Sequence, residues 1–315
     1  MSSIYDNFDK TSKWLYLIIP TYNESENILK TLLDLPEIFD KIILVDDGSV
    51  DDTYIKLEKI ESENRENIVL LNHEKNKGKG AAIKSGLKWI INRVNLDQDG
   101  IILFMDGDGQ MDPDYISGFV NEVFENNTKY VKATRLKNKK HHNVMPKFRY
   151  FGNLMLKFLN KIATSLWNIS DPQNGYFAIS NDGLNKIEIN NLADDYFFEN
   201  SMLFEIGRIR KKIVEIEIPA IYGGGEKSSI VYHKFIPKTA LKLLYGYVKR
   251  VWETRKINKL RSFNFILNAL GFLILLMGII YEIIGMGGTR LSILGIVSFA
   301  SAFILDYKDF KTYED

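Results

Sequence analysis

Four runs of this sequence are apolar along almost their whole length instead of alternating: WLYLII (14–19), IILV (42–45), NIVLL (67–71) and IILFM (101–105). Strands that bury both faces read this way, whereas a sheet with one wet face alternates. Helical periodicity fills the gaps, over Glu24 to Leu35, 52 to 63, and Ala81 to Val94. Asn23 and Glu26 stand at capping-box spacing before the first of these. Repeated βα units of this kind predict a doubly wound α/β domain with a mostly parallel sheet. Such sheets bind ligands beyond the carboxyl ends of their strands. The unusual residues cluster there: PTYNE (20–24) after the first strand, DDGS (46–49) after the second and DGDGQ (106–110) after the fourth.

Asp106, Asp108 and Gln110 are hard oxygen ligands, and Gly107 and Gly109 between them allow sharp turning. The set suits Mg²⁺ or Mn²⁺ held by one or two carboxylates, with water and substrate oxygens filling the other positions. Asp112, just before Pro113, reads as a turn and capping acid. His141 and His142 lie in a polar stretch and read as solvated, so no zinc site is expected. NKGKGAA (76–82) fails GxGxxG because Ile83 replaces the third glycine, and YGGGEKSS (222–229) fails the P-loop because Glu226 precedes Lys227. With no cysteine, disulfides and thiol nucleophiles are excluded. With a formal net charge of +1, nothing in the overall balance argues for nucleic acid, and none is expected as a partner.

Beyond residue 135 the pattern changes. Lys147 to Trp167 and Pro237 to Trp252 are amphipathic and basic, which suits either core-facing helices or helices lying on an anionic membrane. Trp167 and Trp252 would fit an interfacial belt. Phe263 to Gly285 carries one acid and no base, and Leu291 to Leu305 carries no charge. As helices they reach about 34 Å and about 22 Å, against a hydrocarbon core of about 30 Å. A transmembrane hairpin is expected, and a buried hairpin in a soluble core is the alternative. Lys249, Arg250, Arg255, Lys256, Lys259 and Arg261 precede the first run, which places both chain ends in the cytoplasm. MSSIYDNFDKTSKW shows no secretory signal.

The segments IPTYNE (19–24), VDDGSVDDT (45–53), NKGKGAAIKSG (76–86), DGDGQMDPD (106–114), ATR (133–135), DPQNGYFAIS (171–180) and YGGGEKSS (222–229) occur in one order. In this the chain resembles family 2 glycosyltransferases of GT-A fold, in the branch of dolichyl- or polyprenyl-phosphate sugar synthases. The resemblance covers residues 14 to 250. It implies a metal-dependent inverting enzyme that moves a sugar from a UDP- or GDP-sugar to dolichyl or polyprenyl phosphate.

By the same resemblance Pro20, Tyr22, Glu24, Val45, Asp46, Asp47 and Lys79 hold the nucleotide-sugar, together with Asp106, Gly107, Asp108, Arg135 and Lys227. Asp106, Asp108 and Gln110 hold the metal, and Arg149 and Ser228 the acceptor phosphate. Asp108, Arg135 and Asp171 form the catalytic set, with Asp171 or Glu199 as base if the acceptor needs one. The implied division is a GT-A domain (1–235), an interfacial helix (236–260), two transmembrane helices (261–307) and a cytoplasmic tail (308–315). The expected location is the cell membrane, or the endoplasmic reticulum membrane in a eukaryote, with self-association left open. Two other readings stand beside it: transfer to a sugar hydroxyl, and a non-catalytic membrane scaffold on a relic fold. The loop YGGGEKSS departs from the RxxxRSK-like form of some mannosyl enzymes, which weakens the case for GDP-mannose.

Overall fold

The computed structural model describes residues 13–63, 66–94, 98–136, 147–209, 213–219 and 232–314. Among them are strands β1 (Lys13–Thr21), β2 (Lys41–Asp46), β3 (Ile68–Asn72), β4 (Asp99–Phe104), β5 (Tyr130–Thr134), β6 (Phe177–Ser180) and β7 (Val214–Glu217). They form one sheet in the order β3-β2-β1-β4-β6-β5-β7. β1 lies parallel to β2 and β4, and β2 to β3, as the unbroken apolar runs imply. β6 is antiparallel to β4 and β5, and β7 is parallel to β5. Two apolar clusters, centred on Leu17, Leu44 and Leu103 and on Ile18, Ile43 and Ile102, cover opposite sheet faces because neighbouring strand residues point opposite ways.

The first helices are α1 (Ile28–Leu33), α2 (Thr53–Ser62), α3 (Lys79–Ile91) and α4 (Ile116–Phe124). α1 starts later than the capping-box spacing predicts. Asn23 is left-handed (φ 56°), and its side-chain oxygen accepts from Val50 N instead of capping its own helix. A turn closed by Asn27 N and Ile28 N onto the Glu24 carbonyl fills the gap. After β5 come α5 (Lys147–Thr164), the short α6 (Asn181–Leu184), α7 (Phe198–Arg208) and α8 (Tyr232–Thr254).

α9 (Lys259–Ile283) and α10 (Thr289–Glu314) pack as a hairpin. Both are long and apolar enough to cross a bilayer, over Lys259–Ile283 and Thr289–Thr312. Their apolar faces, with Leu270, Phe272 and Ile280 on one and Ile293, Val297 and Ile304 on the other, are exposed. That is the reverse of a soluble core hairpin. The second run, short by sequence, lies in a helix of 26 residues, about 39 Å long. It continues past Leu305 because the acids that follow turn inward. Asp306 pairs with Arg250 of α8 (2.8 Å), and Asp309 with Arg261 of α9 (2.7 Å). Two of the six basic residues expected to mark the cytoplasmic side are thus buried partners of acids.

Close approach of the two helices depends on glycine. A Cβ on Gly278 would sit 2.5 Å from Ser292 Oγ and 2.6 Å from its backbone nitrogen, and one on Gly271 3.1 Å from the Gly295 carbonyl. Small residues let helices in lipid meet at their backbones. Gly278→Leu is expected to cost about 1–3 kcal/mol by overpacking, read as a lower thermal midpoint in detergent. An unchanged midpoint would mean the helices do not meet there.

Candidate active site

Three loops at the carboxyl ends of β1, β2 and β3 are tied together by side chains. Asn23 N donates to Ser49 Oγ (3.0 Å) and Glu24 N to Thr53 Oγ1 (2.8 Å), which locks the first loop to the second. Asp46 accepts from the hydroxyl and amide of Ser49 at 2.5 and 3.0 Å, closing a turn over the end of β2. Asp47 reaches across to the third loop. It accepts from Lys77 N at 2.9 Å and Gly78 N at 2.7 Å, and lies 2.6 Å from His73 Nδ1. His73 Nε2 is 2.9 Å from Ser85 Oγ on α3. Both oxygens of Asp47 are therefore taken by protein groups, and the residue shapes the Lys77–Gly78 turn. Gly48 (φ 70°) is required here, since a Cβ would lie 2.5 Å from the Lys75 backbone. Pro20 and Val45 face each other in register, with Val45 fully buried, while Tyr22 is exposed.

The acids after β4 lie beside this platform. Lys79, the first residue of α3, puts its ammonium 2.7 Å from Asp106 Oδ1, 2.9 Å from Asp106 Oδ2 and 2.7 Å from Glu199 Oε1. Burial opposes the charge on Lys79, but the two carboxylates outweigh it and raise its pKa. Gly175 closes over the cluster: a Cβ there would be 2.7 Å from Lys79 Nζ and 3.0 Å from Asp106 Oδ2. Asp108 accepts from Gln110 N at 3.0 Å around the left-handed Gly109. Burial, then the charge of Asp106, push the Asp108 carboxyl up to about 7.

That shift bears on cation binding. Asp108 is short of positive charge, because Lys79 is engaged by Asp106 and Glu199. A divalent cation at Asp108 would relieve it, and the oxygen-only donor set fits Mg²⁺ or Mn²⁺. The described residues contain no group of three His, Cys, Asp or Glu side chains able to hold a metal. Such an ion would therefore draw its remaining ligands from substrate and water.

On the far side of β6, Arg135 and Asp171 form a bidentate pair: Nε to Oδ2 at 2.8 Å and a terminal guanidinium nitrogen to Oδ1 at 3.2 Å. The Arg135 amide adds a third bond at 3.2 Å. Asp171 is 0% exposed. Burial works to raise its pKa, but Arg135 holds it below the usual carboxylate range. Glu215 braces the turn from below, accepting from Ser170 N (2.7 Å) and Asp171 N (3.3 Å). Of the other expected residues, Lys227 and Ser228 lie outside the described residues, and Arg149 is described only as backbone in α5. Glu199, by the resemblance a base only if the acceptor needs one, is an ion-pair partner of Lys79. His73 and Glu215 are additions that only the structure supplies.

Comparison with known proteins gives the family and the fold. The model of the family described as glycosyl transferase family 2 matches residues 16–188. The UDP-N-acetylglucosamine–dolichyl-phosphate N-acetylglucosaminyltransferase of Methanococcus voltae is 32% identical over 222 residues, covering 67% of this chain and 86% of its own length. A dolichyl-phosphate beta-glucosyltransferase of Trichomonas vaginalis is 25% identical over 268 residues, covering 79% of this chain and 78% of its own. In fold, the chain is similar to glucosyl-3-phosphoglycerate synthase from Mycobacterium tuberculosis, a structure in complex with Mn²⁺, UDP and phosphoglyceric acid. The TM-score is 0.55 at 17% identity, over 76% of this chain and 79% of that one. With the family model spanning more than half of its length, this chain belongs to glycosyl transferase family 2, and it is an enzyme of GT-A fold.

Proposed function

We propose that the enzyme transfers a sugar from a nucleotide-sugar to a polyprenyl phosphate of the dolichyl type at the cytoplasmic face of a membrane. The observation that carries this reading is the state of the acids. Both candidate bases are held by cations, Asp171 by Arg135 and Glu199 by Lys79. A sugar hydroxyl as acceptor would need a free base. A phosphate monoester has its second pKa near ~6 and arrives largely as the dianion, so it needs cationic positioning instead. The names of the Methanococcus and Trichomonas relatives support the same acceptor.

In this reading a phosphate oxygen of the acceptor attacks the anomeric carbon. The bond from that carbon to the nucleotide diphosphate breaks, the diphosphate leaves with the electron pair, and the anomeric centre inverts. Tyr22, Glu24 and Asp46 line the nucleoside end, and Asp47 acts through the Lys77–Gly78 turn. Lys79 and Arg135 face the charge that grows on the diphosphate. Asp171 orients Arg135 and holds no proton in transit. Asp108, with Asp106 and Gln110, would hold a divalent cation, which would supply charge neutralisation for the departing diphosphate.

Helices α9 and α10 serve as the membrane anchor, and α8 lies along the interface. α8 exposes a stripe of Leu241, Leu244, Tyr245, Val248 and Trp252 at helical spacing, and Leu154 and Phe158 of α5 are also exposed. Trp252 carries the Arg255 guanidinium 3.7 Å from its ring centre, which suits a residue with one wet and one apolar side.

The test is incubation of the protein in nanodiscs with a short polyprenyl phosphate, Mn²⁺ or Mg²⁺, and UDP-N-acetylglucosamine, UDP-glucose or GDP-mannose. The expected product is a glycosylated lipid phosphate from a UDP-sugar, seen by mass spectrometry only when metal is present. Absence of product from every donor, with nucleotide still bound, would move the acceptor to a sugar hydroxyl.

A further inference from the structure

Strand β5 carries a lysine where its neighbours are Val131 and Ala133. Lys132 is 2% exposed and lies in register between Phe177 on β6 and Glu215 on β7. Its ammonium donates to the backbone carbonyl of Asn174, and among the described residues it has no carboxylate at ion-pair distance. A buried ammonium with one neutral acceptor is costly, and a fold under no functional demand would place an apolar side chain there. The cost falls at an informative place. Asn174 belongs to the turn 171–175, which begins with the acid that holds Arg135 and ends with the glycine that closes over Lys79, Asp106 and Glu199. Lys132, Asn174, Gly175 and Glu199 also line one cavity of about 20 Å³.

We infer that Lys132 is a positioning residue for the transfer reaction: by holding the Asn174 carbonyl from within the core, it fixes the turn that sets both Arg135 and the Lys79 cluster. It touches neither donor nor acceptor. The inference rests on the transfer reading given above, and nothing in the family resemblance or the named relatives assigns this residue a role.

The groups facing Lys132 are Asp171, Glu199 and Glu215, which favour its charge, and Arg135, which opposes it. Burial outweighs the acids and brings its pKa down to about 8. The sign is that of a depressed base: below this value the ammonium is present, and as pH rises through it the charge is lost. The neutral amine still donates to the Asn174 carbonyl, but without the charge that makes an ammonium bond about twice as strong, so transfer by the native enzyme should drop above about pH 8 to a lower plateau near the level of the glutamine variant.

Two substitutions separate positioning from packing. Lys132→Met fills the space and removes the donor. Lys132→Gln keeps a donor for the carbonyl and has no titrating proton. The methionine variant is expected to unfold at the same temperature as the native protein or higher, since a buried charge is gone. Its kcat should fall about tenfold, equivalent to ~1.4 kcal/mol, with little change in KM for the lipid. The glutamine variant should recover much of kcat and lose the alkaline fall.

A methionine variant with native kcat overturns the proposal, as does an alkaline fall that persists in both variants. If the methionine variant does not fold, the pH profile of the glutamine variant decides alone. Should the native protein bind UDP with Mn²⁺ yet transfer nothing, the transfer reading fails by itself. UDP affinity then tests Lys132: a loss of about tenfold in the methionine variant, partly restored by glutamine, supports it, and equal affinities overturn it.

Discussion

Asp108→Asn is expected to lower transfer by about a hundredfold to a thousandfold while leaving the fold intact. The amide keeps an oxygen to accept from Gln110 N, so the turn around Gly109 survives. What disappears is a buried negative charge beside Asp106, one that burial and Asp106 already disfavour. The variant should therefore be at least as stable as the native protein near neutral pH. In the native enzyme Mn²⁺ together with UDP should raise the thermal midpoint, because a ligand that binds only the folded state stabilises it. In the variant that metal-dependent rise should shrink or vanish. Transfer within threefold of native, with the rise retained, would remove Asp108 from the metal site.

The largest effect on stability is expected at the joint between the catalytic domain and the hairpin. Arg250 donates to Asp306 with two guanidinium nitrogens at 2.8 and 3.2 Å, and to the carbonyls of Ala163 and Ile162 at the end of α5 at 2.8 and 2.9 Å. Both side chains are buried. Arg250→Met leaves the Asp306 carboxylate and two helix-terminal carbonyls without their donor, a loss of about 3–5 kcal/mol. Adding Asp306→Leu removes the stranded charge and should return much of the loss, as replacement of a whole buried pair often does. Denaturant or thermal unfolding in detergent reads both. A loss below about 1 kcal/mol for the single variant would class the pair with surface ion pairs, and the joint would then depend on the apolar contacts of Leu243, Tyr247 and Val251.

Local rules carried much of the fold. β1 to β4 lie on the four unbroken apolar runs, because burial on both faces writes itself into each strand separately. β6 and β7 are not legible in the sequence, since FAIS and VEIE are too short for any period to stand out. The start of α1 was also misread: Asn23 suits a cap by local chemistry, but the loop after β2 offers its oxygen a donor that lies close only in the folded chain. The family expectation rested on motif order and is upheld by the family match. It had no view of how the motifs touch.

By itself, then, the sequence determined that a parallel α/β sheet would form, that acids would crown the ends of β1, β2 and β4, with glycines beside them after β2 and β4, and that two apolar helices would follow. Periodicity, turn chemistry and helix length are properties of neighbours along the chain. Only the tertiary structure decided that Asp171 would hold Arg135 across 36 residues, that Glu199 would meet Lys79, and that Arg250 would find Asp306. These charges are too far apart in the chain for any local pattern to pair them. Each is stable where it lies only because the folded sheet and helices bring a partner of opposite sign into the same dry site.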